Sequence, residues 1–157
     1  MIAIDQVTKF LVTTQMEIGD SHRLIPGFLY LTYHRNSGAA FGIMQGQMLL
    51  FYGVTAIALI LLITWLRRLN LEKEWVMGIA LGLLIGGAIG NFIDRVINQA
   101  VIDFVHTIWW GRSFAIFNVA DMALTVGAVL MMLDVLFLEK RRNSFETIGV
   151  VDERVQN

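Results

Sequence analysis

Three stretches of this chain, 48–66, 75–97 and 115–138, are apolar over a length that dictates a membrane-crossing helix. About 20 helical residues, rising ~1.5 Å each, match the ~30 Å hydrocarbon core of a bilayer. Lipid offers no water to stray backbone N–H and C=O groups, so an apolar run that enters it satisfies them within its own helix. A fourth apolar stretch, Met1 to Thr14, is interrupted by Asp5 and Lys9 and is followed by no small-residue cleavage site. It reads as a short first transmembrane helix in place of a signal peptide. The expected fold class is an all-α membrane protein of four transmembrane helices, forming a single integral domain over residues 1–142.

The basic residues set its orientation. Arg67, Arg68 and Lys73 follow the second helix, and Lys140, Arg141 and Arg142 follow the fourth. Both regions are expected in the cytoplasm, with both termini on that side and 143–157 as a solvated, mobile tail. Residues 19–47 and 98–113 then face outward, with Trp109 and Trp110 at the outer interface and Trp65 and Trp75 at the inner one. The first outward connection contains Phe28-Leu29-Tyr30-Leu31-Thr32-Tyr33, bounded by Pro26-Gly27 and Asn36-Ser37-Gly38. This aromatic-rich run between turn signals predicts a small extracytoplasmic β element on the membrane surface, and Gly38 to Gly42 offers small residues for close backbone approach. A net charge of -1 gives nucleic acid nothing to bind, and the absence of cysteine removes disulfides, thiol nucleophiles and Cys-ligated metals.

Three aspartates lie where a carboxylate is expensive. Asp94 ends the third helix, whose glycines at 78, 82, 86 and 90 recur every fourth residue and stack on one face. That face runs on to Asp94 and aims it into the bundle, with Arg95 beside it as a candidate ion-pair partner. Asp103 sits in Val101-Ile102-Asp103-Phe104-Val105, a segment too apolar for a solvated loop, where desolvation is expected to raise its pKa; capping of a short helix is the plainer structural reading. Asp121 shares a polar stripe with Asn118 and Thr125 about six residues into the fourth helix. Ionisable groups at such positions mark function by default, and two brought together can share one proton as acid proteases require. Burial and spacing leave open whether Asp94 or Asp103 partners Asp121.

Other chemistries lack their signatures. The chain has no His-Glu-x-x-His, no Gly-x-Ser-x-Gly and no phosphate-binding loop, and His22, His34 and His106 are scattered without metal-ligand spacing. No metal or cofactor is expected. A small transporter would carry an inverted repeat and carboxylates spread through the membrane depth; a scaffold would leave the acids unexplained.

Five motifs, taken in order, closely resemble the bacterial lipoprotein signal peptidases, or signal peptidase II. They are Asp5-Gln6-Val7-Thr8-Lys9, Asn36-Ser37-Gly38-Ala39-Ala40-Phe41-Gly42, Gly90-Asn91-Phe92-Ile93-Asp94-Arg95, Val101-Ile102-Asp103-Phe104 and Phe117-Asn118-Val119-Ala120-Asp121. The resemblance implies an aspartic endopeptidase that cleaves diacylglyceryl-modified prolipoproteins before the lipidated cysteine, in the bacterial cytoplasmic membrane near its outer face. It selects Asp103 and Asp121 as the catalytic pair. It further implies that Asn36, Asn91, Arg95 and Asn118 shape the site and that Asp5 and Asp94 support it. Family members carry a longer helix before the first motif, so a truncated start is expected here. Prolipoprotein substrates and membrane lipids are the expected partners, and four helices around one site suffice for a monomer.

Overall fold

The computed structural model describes residues 1–38 and 46–138; residues 39–42 of the small-residue run and the 143–157 tail lie outside them. The chain begins with helix α1 (Ile2–Gln15), followed by strands β1 (Ser21–Ile25) and β2 (Leu29–Asn36). Helices α2 (Met48–Leu66) and α3 (Trp75–Asn98) come next, then strands β3 (Val101–Trp109) and β4 (Arg112–Phe117). Helix α4 (Val119–Leu133) runs into a π-helical turn at Asp134–Leu138.

Three helical spans, Met48–Leu66, Trp75–Asn98 and Val119–Leu138, are long and apolar enough to cross a membrane. With 14 residues, α1 is about 21 Å long and falls below that length. Its buried residues, Asp5, Lys9 and Val12, form one stripe at i, i+4 and i+7, which gives α1 a polar face against its neighbours. No residue of α2 is buried, and its side chains are aliphatic and aromatic nearly all round. Such a helix is suited to a hydrocarbon surround.

The β element is larger than the single aromatic strand expected from sequence. Four antiparallel strands pair in the order β1-β2-β3-β4. The apolar segment around Asp103 is therefore a central strand, with His34 opposite Asp103 and Asn36 opposite Val101. The helix-cap reading of Asp103 falls with this placement. The strands β3 and β4 are joined by Trp110 (φ 46°) and Gly111 (φ 73°), both left-handed, as a two-residue hairpin of the primed type requires.

That hairpin also corrects the start of the last helix. Residues 115–117 pair with β3, through Thr107 with Ala115, His106 with Ile116 and Val105 with Phe117. Asn118 stays extended and caps α4, so the helix begins at Val119. Asp121 consequently stands in its first turn rather than six residues in. The sheet is pinned to α1 through a core of Val12, Tyr33, Ile102 and Phe104, flanked by Met16, Leu31, Val105 and Val119.

Close helix packing follows the glycines, though not all of them. A Cβ at Gly87 would come within 2.6 Å of the Ala120 carbonyl oxygen, and one at Gly127 within 2.9 Å of that of Ala80, so α3 and α4 meet nearly backbone to backbone. On the predicted face, Gly86 and Gly90 abut α1, whereas Gly82 has open space.

Candidate active site

The end of α3, the start of β3 and the start of α4 converge on one cavity of about 340 Å³, bordered among others by Asn36, Asn91, Arg95, Asp103, Asp121 and Thr125. Asp121 is fixed by the logic of a helix start, where the first N–H groups have no intrahelical acceptor. Asn118 Oδ1 accepts from the Asp121 N–H at 2.9 Å, and Asp121 Oδ2 accepts from the Asn118 N–H at 3.2 Å. This reciprocal capping box sets the carboxylate at the positive end of α4, where negative charge is favoured. Its other oxygen, Oδ1, accepts from Asn91 Nδ2 at 2.7 Å.

Asp103 is held from two sides. Asn118 Nδ2 donates to Oδ1 at 2.8 Å and Asn36 Nδ2 donates to Oδ2 at 3.1 Å. Asn118 thus touches both carboxylates, one through its side chain and the other through its backbone. Asp103 is only 2% exposed, and this burial, reinforced by the charge of Asp121, pushes its pKa up to about 7. The amides of Asn36 and Asn118, and the charge of Lys9, oppose the shift without cancelling it. A carboxyl in this state keeps its proton under mildly acidic conditions, as the sequence reading expected. Two acids in one cavity, one able to stay protonated, can activate a water and stabilise an oxyanion.

A second layer of polar groups lies deeper, between α1 and α3. Lys9, 2% exposed, places Nζ 2.9 Å from Asp5 Oδ2, 2.9 Å from Asp94 Oδ2 and 3.0 Å from Asn91 Oδ1. Asp5 Oδ1 accepts the Ala120 N–H at 2.9 Å, taking one of the orphan donors of α4 from a different helix. Asp94 Oδ2 accepts the Ile102 N–H at 3.0 Å and so fixes β3 one residue before Asp103. Gln6 Nε2 reaches Asp5, Asp94 and the Gly90 carbonyl, each at 3.2 Å.

The ion pair expected between Asp94 and its neighbour Arg95 is replaced by the pair with Lys9. Consecutive helical residues point about 100° apart and do not face each other. Arg95 instead lies over the Phe51 ring, 4.7 Å from its centroid, and borders the cavity. Thr125 donates to the Asp121 carbonyl and leaves the carboxylate alone. His106 ties Thr32 to Ser113 within the sheet. The residues missed from sequence are Lys9 and Gln6. The available signal was the spacing of Asp5 and Lys9, four apart on one face of an apolar helix, where a membrane-facing pair would be costly.

Residues 1–137 match the family described as signal peptidase (SPase) II. The chain is 45% identical over 147 residues to a lipoprotein signal peptidase of Bacillus pumilus (strain SAFR-032), covering 94% of each chain. It is 51% identical over 137 residues to one from Geobacillus thermodenitrificans (strain NG80-2), covering 87% of this chain and 85% of that one. Among solved structures, it resembles a bacterial membrane enzyme determined by the in meso method at 2.3 Å, with a TM-score of 0.79 and 44% identity. That match covers 90% of this chain and 85% of the other.

Proposed function

This chain belongs to the signal peptidase II family, and from that premise we propose that it is an aspartic endopeptidase removing signal peptides from diacylglyceryl-modified prolipoproteins, with cleavage before the lipidated cysteine. The observation that carries the reading is the pairing of Asp103 and Asp121 on one cavity with Asn118 bonded to both. One aspartate is ionised and takes a proton from water as the water attacks the scissile carbonyl. The other, protonated, donates to the developing oxyanion and a proton later passes to the leaving amine. Like charges at close range oppose double ionisation, so burial and repulsion together favour the mixed state.

Asn36, Asn91, Arg95 and Asn118 shape this site, and Asp5 and Asp94 support it from behind. The chemistry is carried by the two carboxyls and water, without metal or cofactor. We take α1 as a fourth helix within the bilayer and residues 1–142 as one membrane domain in the bacterial cytoplasmic membrane. The basic residues after α2 and after residue 139 support cytoplasmic placement of both termini and of the 143–157 tail, with the active site near the outer face. There the lipid chains of a substrate stay in the bilayer while its peptide enters the cavity. One copy contains the complete set of site residues, which supports a monomer.

The test is cleavage of a lipidated precursor by the purified protein, with the unlipidated precursor as control. Asp103→Asn and Asp121→Asn, made separately, are expected to remain folded and to lose cleavage by about 10³-fold or more. Appreciable turnover by either variant rejects the pair.

A further inference from the structure

Lys9 takes no part in the chemistry just described, yet a single side chain separates it from Asp121. An ammonium can only donate hydrogen bonds. The end of the Asn91 amide that meets Nζ at 3.0 Å must therefore be its oxygen. With Oδ1 turned toward Lys9, the amide has only N–H left for Asp121 Oδ1, which it meets at 2.7 Å. Asn118 Nδ2 also approaches Asn91 Oδ1, at 3.1 Å, but it has two hydrogens and three acceptors within reach, the others being Asp103 Oδ1 and the Ile102 carbonyl. Lys9 has three hydrogens and three acceptors, Asp5, Asp94 and Asn91. Its allocation is complete, and it is the donor that can hold the Asn91 amide continuously.

The direction of that amide matters because it decides whether Asp121 receives as many N–H donors as Asp103. Each accepts from two N–H groups. Asp121 stands at a helix start and is partly exposed, while Asp103 is almost wholly buried. An inverted Asn91 would face Asp121 with an oxygen and oppose its charge. The other ionisable groups around Asp121 are Asp103 from β3 and Arg95 from α3, which share its cavity. Behind them lie Asp94 on α3 and Asp5 on α1, both committed to Lys9, while α2 brings Tyr52, whose hydroxyl donates to the Arg95 carbonyl.

We propose that Lys9 is a positioning residue: by locking the Asn91 amide it ensures that Asp121 receives an N–H, making Asp121 the ionised general base and leaving the shared proton on Asp103. This assignment rests on the aspartate-pair reading above. Asp103 being held protonated up to about pH 7 agrees with it.

The experiment is the pH dependence of kcat and KM for a lipidated precursor peptide in detergent or lipid. The double variant Lys9→Gln/Asp94→Asn removes one charge of each sign together and is compared with Asp94→Asn alone. The expected result is a kcat lower by about tenfold at pH 6, KM within about twofold, and the acidic limb of the profile moved up by about one pH unit. A limb that stays in place while only thermal stability falls overturns the proposal. If the double variant does not fold, Asn91→Leu carries the same test, since it removes the donor to Asp121 and leaves the lysine with its carboxylates; an unmoved limb there overturns the proposal equally. Asp121→Asn in the same assay separates the two readings. If it cleaves, the aspartate pair itself is wrong; if it is dead while the limb of the other variants is unmoved, only the role of Lys9 fails.

Discussion

Burial of Asp103 gives this molecule a pH dependence between acidic and neutral conditions. Its carboxyl ionises near 3.8 when exposed and near 7 when buried, so the unfolded chain releases that proton first as pH rises. Its contribution to stability is thus fully present below about pH 3.8, declines through the interval, and is gone above about pH 7. Two measurements follow. Cleavage by the wild type should decline above about pH 7 as the acid member of the pair is lost. The melting temperature should fall between pH 5 and pH 8, and less steeply in Asp103→Asn, where that group no longer titrates. A variant that melts with the same pH slope as wild type contradicts the burial argument. The elevated pKa was legible in sequence because the flanking Ile102 and Phe104 announce desolvation whatever the fold. The pairing of Lys9 with Asn91 and Asp94 was not, because those partners lie more than 80 residues away and helix facing cannot be matched between distant segments by pattern alone.

At the scale of elements, α3 carries two kinds of glycine. A Cβ at Gly90 would lie 2.5 Å from Asp5 Oδ2 and 3.2 Å from Ala120 Cβ, in the packed junction of three helices. Gly90→Ala should therefore destabilise by about 1–3 kcal/mol and reduce activity through the displaced Asp5. Gly82 meets nothing within 4 Å, so Gly82→Ala should be neutral or stabilise by up to about 1 kcal/mol from helix propensity. Thermal melts of the two variants check the contrast, and equal losses would refute the packing assignment. The bounds of α2 and the start of α3 could be read from hydropathy, since lipid permits little besides a helix. Residues 115–117 misled because an apolar run reads alike in a buried helix and in a sheet strand. The hairpin turn at Trp110-Gly111 and the cap at Asn118 decide the matter, and both act through backbone geometry that composition does not express.

At the scale of the whole molecule, the proposed orientation makes a sidedness prediction, and the absence of native cysteine makes it simple to test. In intact cells, Ser113→Cys on the β3–β4 hairpin should react with a membrane-impermeant maleimide. Asn70→Cys, between α2 and α3, should react only after the membrane is opened. The reverse pattern would invert the topology. Both positions are exposed or nearly so, and neither touches the two aspartates. The five sequence motifs, taken in order, pointed to residues that the fold brings to one cavity. How three helices and a sheet interlock around it required the pairing of residues that the chain keeps far apart.

The contact between Asp5 and the Ala120 N–H spans 115 positions of sequence. During synthesis the first helix must therefore enter its surroundings long before the group it will cap has been made. Its own Asp5–Lys9 pair, one turn apart, lets it wait as an internally neutralised unit. Only when the last helix arrives does Asp5 find its final donor. A chain released before Ala120 therefore lacks both the proposed catalytic Asp121 and the contact that ties the first helix to the last, so an incomplete site is also an unfinished fold.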